Sequence, residues 1–456
     1  FSIEFQGYML EQMAKNHPKV FAQFADTVKD CRSEFVSFHY SDQLFIAYGE
    51  RDMAWSHALN EEVFRTHGLH PSGVVFTQEG QFGEGMLDFM KAHDRTIALY
   101  PKNLLGYFTG EDKAFPLWEK WGTLAVPVGT GFNLTDPVPI NVTWTYYNDG
   151  ELLTTGGFSP YFVDTGNYVV DEASIQKYVD ELVALEAQGY VIASIGDYVE
   201  TIKALGLAPL PLPDPLDGTW QPGDTDNVGR WMGIRKAETE KDNAVLTGNY
   251  RARNLVLAAD VMAGAAVAAG VCTDGVQERL HEAKREIALA EVSDSTGWFP
   301  ASFEVDYSLN HAGRAVAAAQ EVIDTLKAAM QITTAEIDTA ADTVKEAGPG
   351  AVEPSVIDCP LGITAWALGA EGYDAATTCL NAAADRVEVR IDFAPKAGAT
   401  SRLVGLSIPA DATVVEYTPA LLEHYGADKA VVRYPSAEFL QDVIWIPAAN
   451  GLVGLG

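Results

Sequence analysis

The chain has little cysteine: four residues in 456, Cys31, Cys272, Cys359 and Cys379. No C-x-x-C pair occurs, which argues against a zinc ribbon or a thioredoxin-type centre. Cys359 and Cys379 flank a 19-residue stretch and could close one disulfide or stay as two thiols. Basic residues are also scarce, 31 Lys and Arg against 63 Asp and Glu, for a formal net charge of −32. Such a surface repels phosphate backbones and anionic headgroups, so nucleic-acid binding and polybasic membrane attachment are disfavoured. No apolar run reaches the ~18 residues that cross a bilayer. The nearest, VMAGAAVAAGV (261–271), is short and alanine-rich. Phosphate-cradling G-x-x-x-x-G-K-[ST], strand-borne G-x-G-x-x-G and H-E-x-x-H patterns are all missing. What is there is 47% hydrophobic and 21% charged, the composition of a globular chain too long for one core.

The chain divides into three stretches. Residues 1–213 alternate strand-like runs with amphipathic ones. FSIEF (1–5), EFVSFHY (34–40), SGVVFTQ (72–78), TIALYP (96–101), INVTWTYY (140–147) and YVIASIG (190–196) read as strands. GYMLEQMAKNHPKVFAQFADTVKD and ASIQKYVDELVALEAQG read as helices between them. That alternation predicts a parallel sheet covered by helices, closed or nearly closed into a barrel. After the proline-rich LAPLPLPDPLDG, residues 214–350 read as a bundle of three to four helices, the last over TAEIDTAADTVKEAG. Residues 351–456 return to alternating runs such as RVEVRIDF and TSRLVGLSI, an all-β module. The chain opens on Phe1, inside a strand-like run, so the natural protein is expected to begin earlier.

In a parallel barrel, reactive side chains sit at the C-terminal ends of the strands. VVFTQEGQFGEGM (74–86) places Glu79 just past a strand in a glycine-rich turn, with Phe82 as a flat face for a sugar ring and Glu84 nearby. INVTWTYYNDGELL (140–153) places Asp149 and Glu151 after an aromatic strand, although N-D-G is also plain turn chemistry. Two carboxylates on different strand ends form the pair that glycosidic cleavage requires. Gln6, His39 and Asp42 lie at other strand ends, and amides, aromatics and a few acids suit an uncharged polyhydroxylated ligand.

FSIEFQGYMLEQMAKNHPKVFAQF, EFVSFHYSDQLFIAYGERDMAWSHALNEEVF, GLHPSGVVFTQEGQFGEGM and TWTYYNDGE, in that order over about 1–235, resemble glycoside hydrolase family 57. The resemblance implies an α/β fold: an incomplete (β/α)7 barrel followed by a helical bundle, here with a C-terminal all-β module. It implies retaining, two-step chemistry on α-glycosidic bonds with no metal or other cofactor. Glu79 matches the family's nucleophile position and Asp149, in Asp149-Gly150-Glu151, its general acid/base. Glu84 and Glu151 are expected as hydrogen-bonding partners, and Gln6, His39, Asp42 and Phe82 as sugar contacts. The family's His-rich first strand is expected upstream of Phe1. In the bundle stretch, DGTWQPGDTDNVGRWMG and EVSDSTGWFPASFEVDY are too polar and tryptophan-rich for helix core. They make Trp220, Trp231, Asp294 and Trp298 candidate lining residues, with interdomain packing as the competing use.

The partner expected is an oligo- or polysaccharide, with no nucleic acid and no membrane span. The C-terminal β module could bind glycan or mediate oligomerisation. Sparse cysteine with one pairable couple is compatible with export. Two rival functions fit the same sequence. A zinc α-mannosidase like those of family 38 is one, although Val292-Ser293-Asp294 carries no His where such a ligand would fall. A non-catalytic glycan-binding or surface-layer protein is the other.

Overall fold

The computed structural model describes residues 1–30, 33–101, 115–128, 131–136, 138–143, 170–212, 240–271, 274–296, 302–332, 335–338 and 342–346. It also describes positions 104, 106, 150, 154, 218, 219 and 300, and the strand backbones from 356 onward. By its contacts the chain forms two units, Phe1–Ile46 with Glu50–Gly223, and Ala47–Gly49 with Asp224–Gly456.

The first unit is mixed α/β. Strands β1 (Ser2–Glu4) and β2 (Glu34–Val36) pair in parallel, Ser2 beside Glu34 and Glu4 beside Val36. Between them the amphipathic run forms two helices, α1 (Gly7–Asn16) and α2 (Pro18–Lys29). The break falls at His17 because Pro18 has no N–H to continue α1 yet suits a first helical turn. Helix α3 (Glu50–His67) follows β2, and α4 (Glu84–Ala92) separates β3 (Val74–Val75) from β4 (Ile97–Pro101). With β5 (Trp118–Lys120), β6 (Thr123–Val128) and β9 (Leu210–Pro211) these make a five-stranded sheet in the order β3-β4-β6-β5-β9. Strands β7 (Phe132–Leu134) and β8 (Ile140–Val142) form a separate antiparallel pair.

Side chains alternate across this sheet, and both faces are buried. Val75, Ala98, Tyr100 and Ala125 pack with Phe82 and with Met86, Leu87 and Met90 of α4. Val74, Leu99, Val126 and Val128 pack on the opposite face, against Ile195, Val199 and Ile202 of α6 (Ile195–Ala204). Helix α5 (Glu172–Ala187) lies at 172–187 as the sequence predicts and has no buried residue.

Two expectations for this unit change. The sheet is not wholly parallel: β5 runs antiparallel to β6 through a two-residue turn at Trp121 (φ 54°) and Gly122 (φ 87°). Two positive φ values make a turn whose twist matches a tight hairpin. YVIASIG is not a strand either. Ser194 caps α6, its Oγ accepting from Asp197 N at 3.1 Å. The Glu34 carboxylate accepts from Ile195 N (3.1 Å) and Gly196 N (3.2 Å), an anion placed on the positive end of the helix. Val191, 88% exposed, shows that the apolar run ahead of this cap is not core. Among the described residues the strands form open sheets.

The second unit is built on α7 (Glu240–Ala268), α8 (Val276–Ala290) and α9 (Ser302–Met330), with α9 packed along both of the others. Its core is small: Ala312, Ala315, Ala319, Val322 and Leu326 recur on one face of α9, opposite Ala259, Ala263, Ala283 and Ala290 on the other helices. Alanine at the contact lets helix axes approach closely. The helix expected near 334–348 is instead a hairpin of β10 (Ala335–Asp338) and β11 (Thr343–Glu346). Asp342 enters it at φ 51°, a left-handed value that Asp tolerates better than most residues. Beyond it, β12 (Val356–Ile357), β14 (Tyr373–Ala383) and β15 (Arg386–Pro395) form one antiparallel sheet. β13 (Thr364–Ala367), β16 (Val404–Ser407) and β17 (Leu452–Leu455) form another. No helix among the described residues is long and apolar enough to cross a membrane.

Candidate active site

The C-terminal ends of β1, β2 and β3 converge in the first unit through hydrogen bonds that follow each strand. Gly7 N donates to His39 O at 3.3 Å and Tyr8 N to Tyr40 O at 2.7 Å, laying the start of α1 on the segment after β2. Gly7 leaves room for this approach: a Cβ there would collide with Asn60 Oδ1 and come within 3.1 Å of the Tyr40 ring, so Asn60 would have to move. Asn60, fully buried, donates through Nδ2 to Ser37 Oγ at 3.1 Å, and Ser37 Oγ donates to Phe5 O. The β2 segment in turn reaches β3, since Gln78 N donates to His39 Nε2 at 3.2 Å.

Glu79 sits in the short turn Gln78–Gly80 at the end of β3, half-buried. Its backbone is left-handed (φ 58°, ψ 20°), and Gly80 beside it is left-handed too (φ 55°). For a residue with a Cβ this conformation costs on the order of 1–2 kcal/mol, and it persists only where neighbours over-determine it. They do so here. Gly80 N donates to Thr77 O at 3.0 Å, and Thr77 Oγ1 donates to Gln81 O. Gln81 Nε2 donates to Gln78 O at 2.9 Å and to Gln43 O at 2.8 Å. Thr77, Gln81, Gln43 and His39 are all buried, so these bonds meet little competition from water. Beyond the turn, Phe82 N donates to Gly218 O and Gly218 N to Phe82 O, both at 2.9 Å. Glu79 Oε1 lies 3.5 Å from Gln78 Nε2.

A second acidic locus lies at the end of β1. Gln6 Nε2 donates to Asp42 Oδ1, joining two residues that the sequence placed at separate strand ends. Near them Glu4 is held well above the ordinary carboxylate range, first by burial and then by the negative charge of Asp42. Glu4 did not stand out in the sequence. The signal was available, because Ser2, Glu4 and Gln6 share one face of an alternating strand.

The remaining candidates fall in different places. Phe82, expected as an exposed stacking face, is 1% exposed, with its ring 5.6 Å from Tyr100 in the core. Its aromatic surface packs against α4 because the bridge to Gly218 turns this segment inward. His39, expected as a sugar contact, is fully buried behind the turn, and burial drives its imidazole down to about 4. Glu84 opens α4. Asp294 is exposed in the turn Ser293–Ser295 of the second unit. Asp149, Glu151, Trp220, Trp231 and Trp298 lie outside the described residues. Among the described residues no three His, Cys, Asp or Glu side chains gather where they could share a metal ion.

No protein-family model matches the chain, and no curated protein does. Among solved structures it is similar to an α-mannosidase from Enterococcus faecalis V583, at 11% identity over 83% of this chain and 42% of that one, with a TM-score of 0.48. It is similar to a 4-α-glucanotransferase from Thermococcus litoralis, at 14% identity over 82% of this chain and 58% of that one, with a TM-score of 0.46. A glycoside hydrolase family 57-type branching enzyme from Pyrococcus horikoshii matches at 11% identity over 75% and 72% of the two chains, with a TM-score of 0.44. The chain thus spans 42% and 58% of the length of the first two.

Proposed function

We propose that the chain is a carbohydrate-active enzyme that cleaves α-linked glycans with retention, Glu79 acting as nucleophile and Asp149 as general acid/base. The observation that carries the reading is the Glu79 turn: a half-buried carboxylate at a strand end, in a left-handed conformation gripped by buried polar side chains. Strain kept up at that cost is characteristic of working residues. The resemblance of the surrounding sequence to family 57 motifs gives the chemistry.

In the first step Glu79 attacks the anomeric carbon while the Asp149 carboxylic acid protonates the departing glycosidic oxygen. The product is a glycosyl ester on Glu79. In the second, Asp149 as carboxylate takes the proton of an incoming hydroxyl, which attacks the anomeric carbon and frees Glu79 with the original anomeric configuration. Water at this step gives hydrolysis and a sugar hydroxyl gives transfer. The scheme requires the two carboxyl groups to stand roughly 5–5.5 Å apart. Gln6 and Asp42, joined at the neighbouring strand end, are proposed to bind sugar hydroxyls.

The test is turnover of a panel of α-linked oligosaccharides by the wild type and by Glu79→Gln and Asp149→Asn. Both variants are expected to fold and to lose turnover. Full activity in either removes that residue from the scheme, and glycan binding without turnover in the wild type makes the protein a binding module.

A further inference from the structure

We infer that His39 is a positioning residue for Glu79, one that fixes the carboxylate from behind without touching the substrate. This rests on the reading of Glu79 as nucleophile. A backbone N–H shielded from water needs an acceptor, most often a backbone carbonyl. The N–H of Gln78, which opens the Glu79 turn, is instead taken by the Nε2 of a side chain 39 residues away, at 3.2 Å. An accepting Nε2 carries a lone pair, so the ring is neutral with its proton on Nδ1. The ring has no freedom to swing: it is 0% exposed and meets Phe45 edge-on at 5.6 Å and Phe38 at 6.5 Å.

The segment after β2 therefore grips the turn at both ends. His39 Nε2 holds the backbone of Gln78, and Gln43 O holds the side chain of Gln81 at 2.8 Å. Between these anchors stand the two left-handed residues, Glu79 and Gly80. With the first anchor gone, Glu79 is free to relax towards the right-handed region that its Cβ prefers, and its carboxylate swings away from the line of attack. A displacement of about 1 Å at a reacting group can cost 100-fold in rate.

The experiment uses full-length protein and the aryl α-glycoside that the wild type turns over best. His39→Gln returns an amide oxygen near the position of Nε2; His39→Asn reaches only the position of Nδ1; His39→Phe removes the acceptor while keeping the ring. Positioning predicts that kcat falls roughly 10- to 100-fold in the Phe and Asn variants with KM little changed, and recovers to within a few-fold in the Gln variant. Hydrogen exchange adds a readout independent of activity: the amide of Gln78 is slow in the wild type and the Gln variant and fast in the Asn variant. If the Phe variant fails to fold, the Gln–Asn contrast decides. Equal kcat in those two, or wild-type kcat in a folded Phe variant, overturns the inference. Turnover surviving in Glu79→Gln would instead fault the nucleophile assignment.

Discussion

Both units bury polar side chains, and what those side chains hold differs. In the second unit they gather where α8 ends. Ala290 is the last residue of α8, and its carbonyl has no partner within the helix. It accepts from Asn249 Nδ2 at 2.8 Å and from Ser308 Oγ at 2.7 Å. Ser308 also bonds Ser295, whose Oγ reaches Val292 O at 3.1 Å, and Asn249 donates to Tyr48 at 2.9 Å. This is capping, the satisfaction of a helix end that would otherwise be a buried orphan. In the first unit His39, Gln43, Thr77 and Gln81, equally buried, surround a turn that would relax without them and that carries a half-buried acid at its centre. Polar burial alone therefore does not mark a working site. Polar burial that maintains an unfavourable conformation beside a carboxylate is what sets the Glu79 turn apart.

That contrast can be broken by experiment. The largest effect is expected from Glu79→Gln, which should lower turnover by on the order of ten-thousand-fold with its thermal midpoint near that of the wild type. An unchanged rate would reduce the first-unit network to another piece of scaffolding. Gly7→Ala should follow. Its Cβ displaces Asn60 and with it the bond to Ser37, costing about 1–3 kcal/mol by denaturant titration and lowering turnover as well. Ser308→Ala in the second unit removes a helix-end donor. It should cost about 1–2 kcal/mol in the same titration and leave kcat alone, and loss of kcat there would erase the distinction between the units.

Acid should separate them with the smallest signal. His39 and His57, both in the first unit, are pushed from 6.5 down to about 4. Burial is the main cause in each, joined in His57 by the nearby charges of His93 and Arg95. Each ring is neutral in the fold, while the unfolded chain takes up a proton near 6.5. Stability is therefore full above 6.5, falls as pH drops towards about 4, and levels off below. In the second unit burial pushes Glu286 up, but its bond to His311 and the charges of His311, Arg314 and Arg285 bring it below its usual 4.5. That contribution is lost only at lower pH. Hydrogen exchange should thus show protection failing first over 34–101 and later over 276–330. Simultaneous loss would contradict the assignment.

The Glu79 strand end was legible because two buried valines run straight into a glycine-rich turn. The helical runs over 7–30, 251–268, 276–290 and 311–330 were legible from spacing, but the break at His17 and the start of α9 at Ser302, inside a stretch read as too polar for helix core, were not. The role of His39 was not, because it depends on a backbone N–H that only folding brings near. Phe82 misled for the same reason: an aromatic in a glycine-rich loop reads as exposed until Gly218 pairs with it. YVIASIG reads as a strand by composition, and the cap chemistry of Ser194 and Glu34 outweighs that preference. TAEIDTAADTVKEAG is rich in helix formers, yet its ends alternate and Asp342 takes the turn, so strand pairing outweighs propensity. Trp121-Gly122 went unnoticed as a hairpin turn because tryptophan is an unusual occupant of a left-handed position.

As a retaining nucleophile, Glu79 is expected to form a covalent bond to sugar. Incubation with 5-fluoro-α-glucosyl fluoride, which slows breakdown of a retaining intermediate, followed by peptide mass spectrometry, tests it directly. One glycosyl adduct is expected on the peptide carrying Glu79, absent in Glu79→Gln. Steady turnover of an α-glycoside with an adduct on another carboxylate, or with product of inverted configuration, would contradict it.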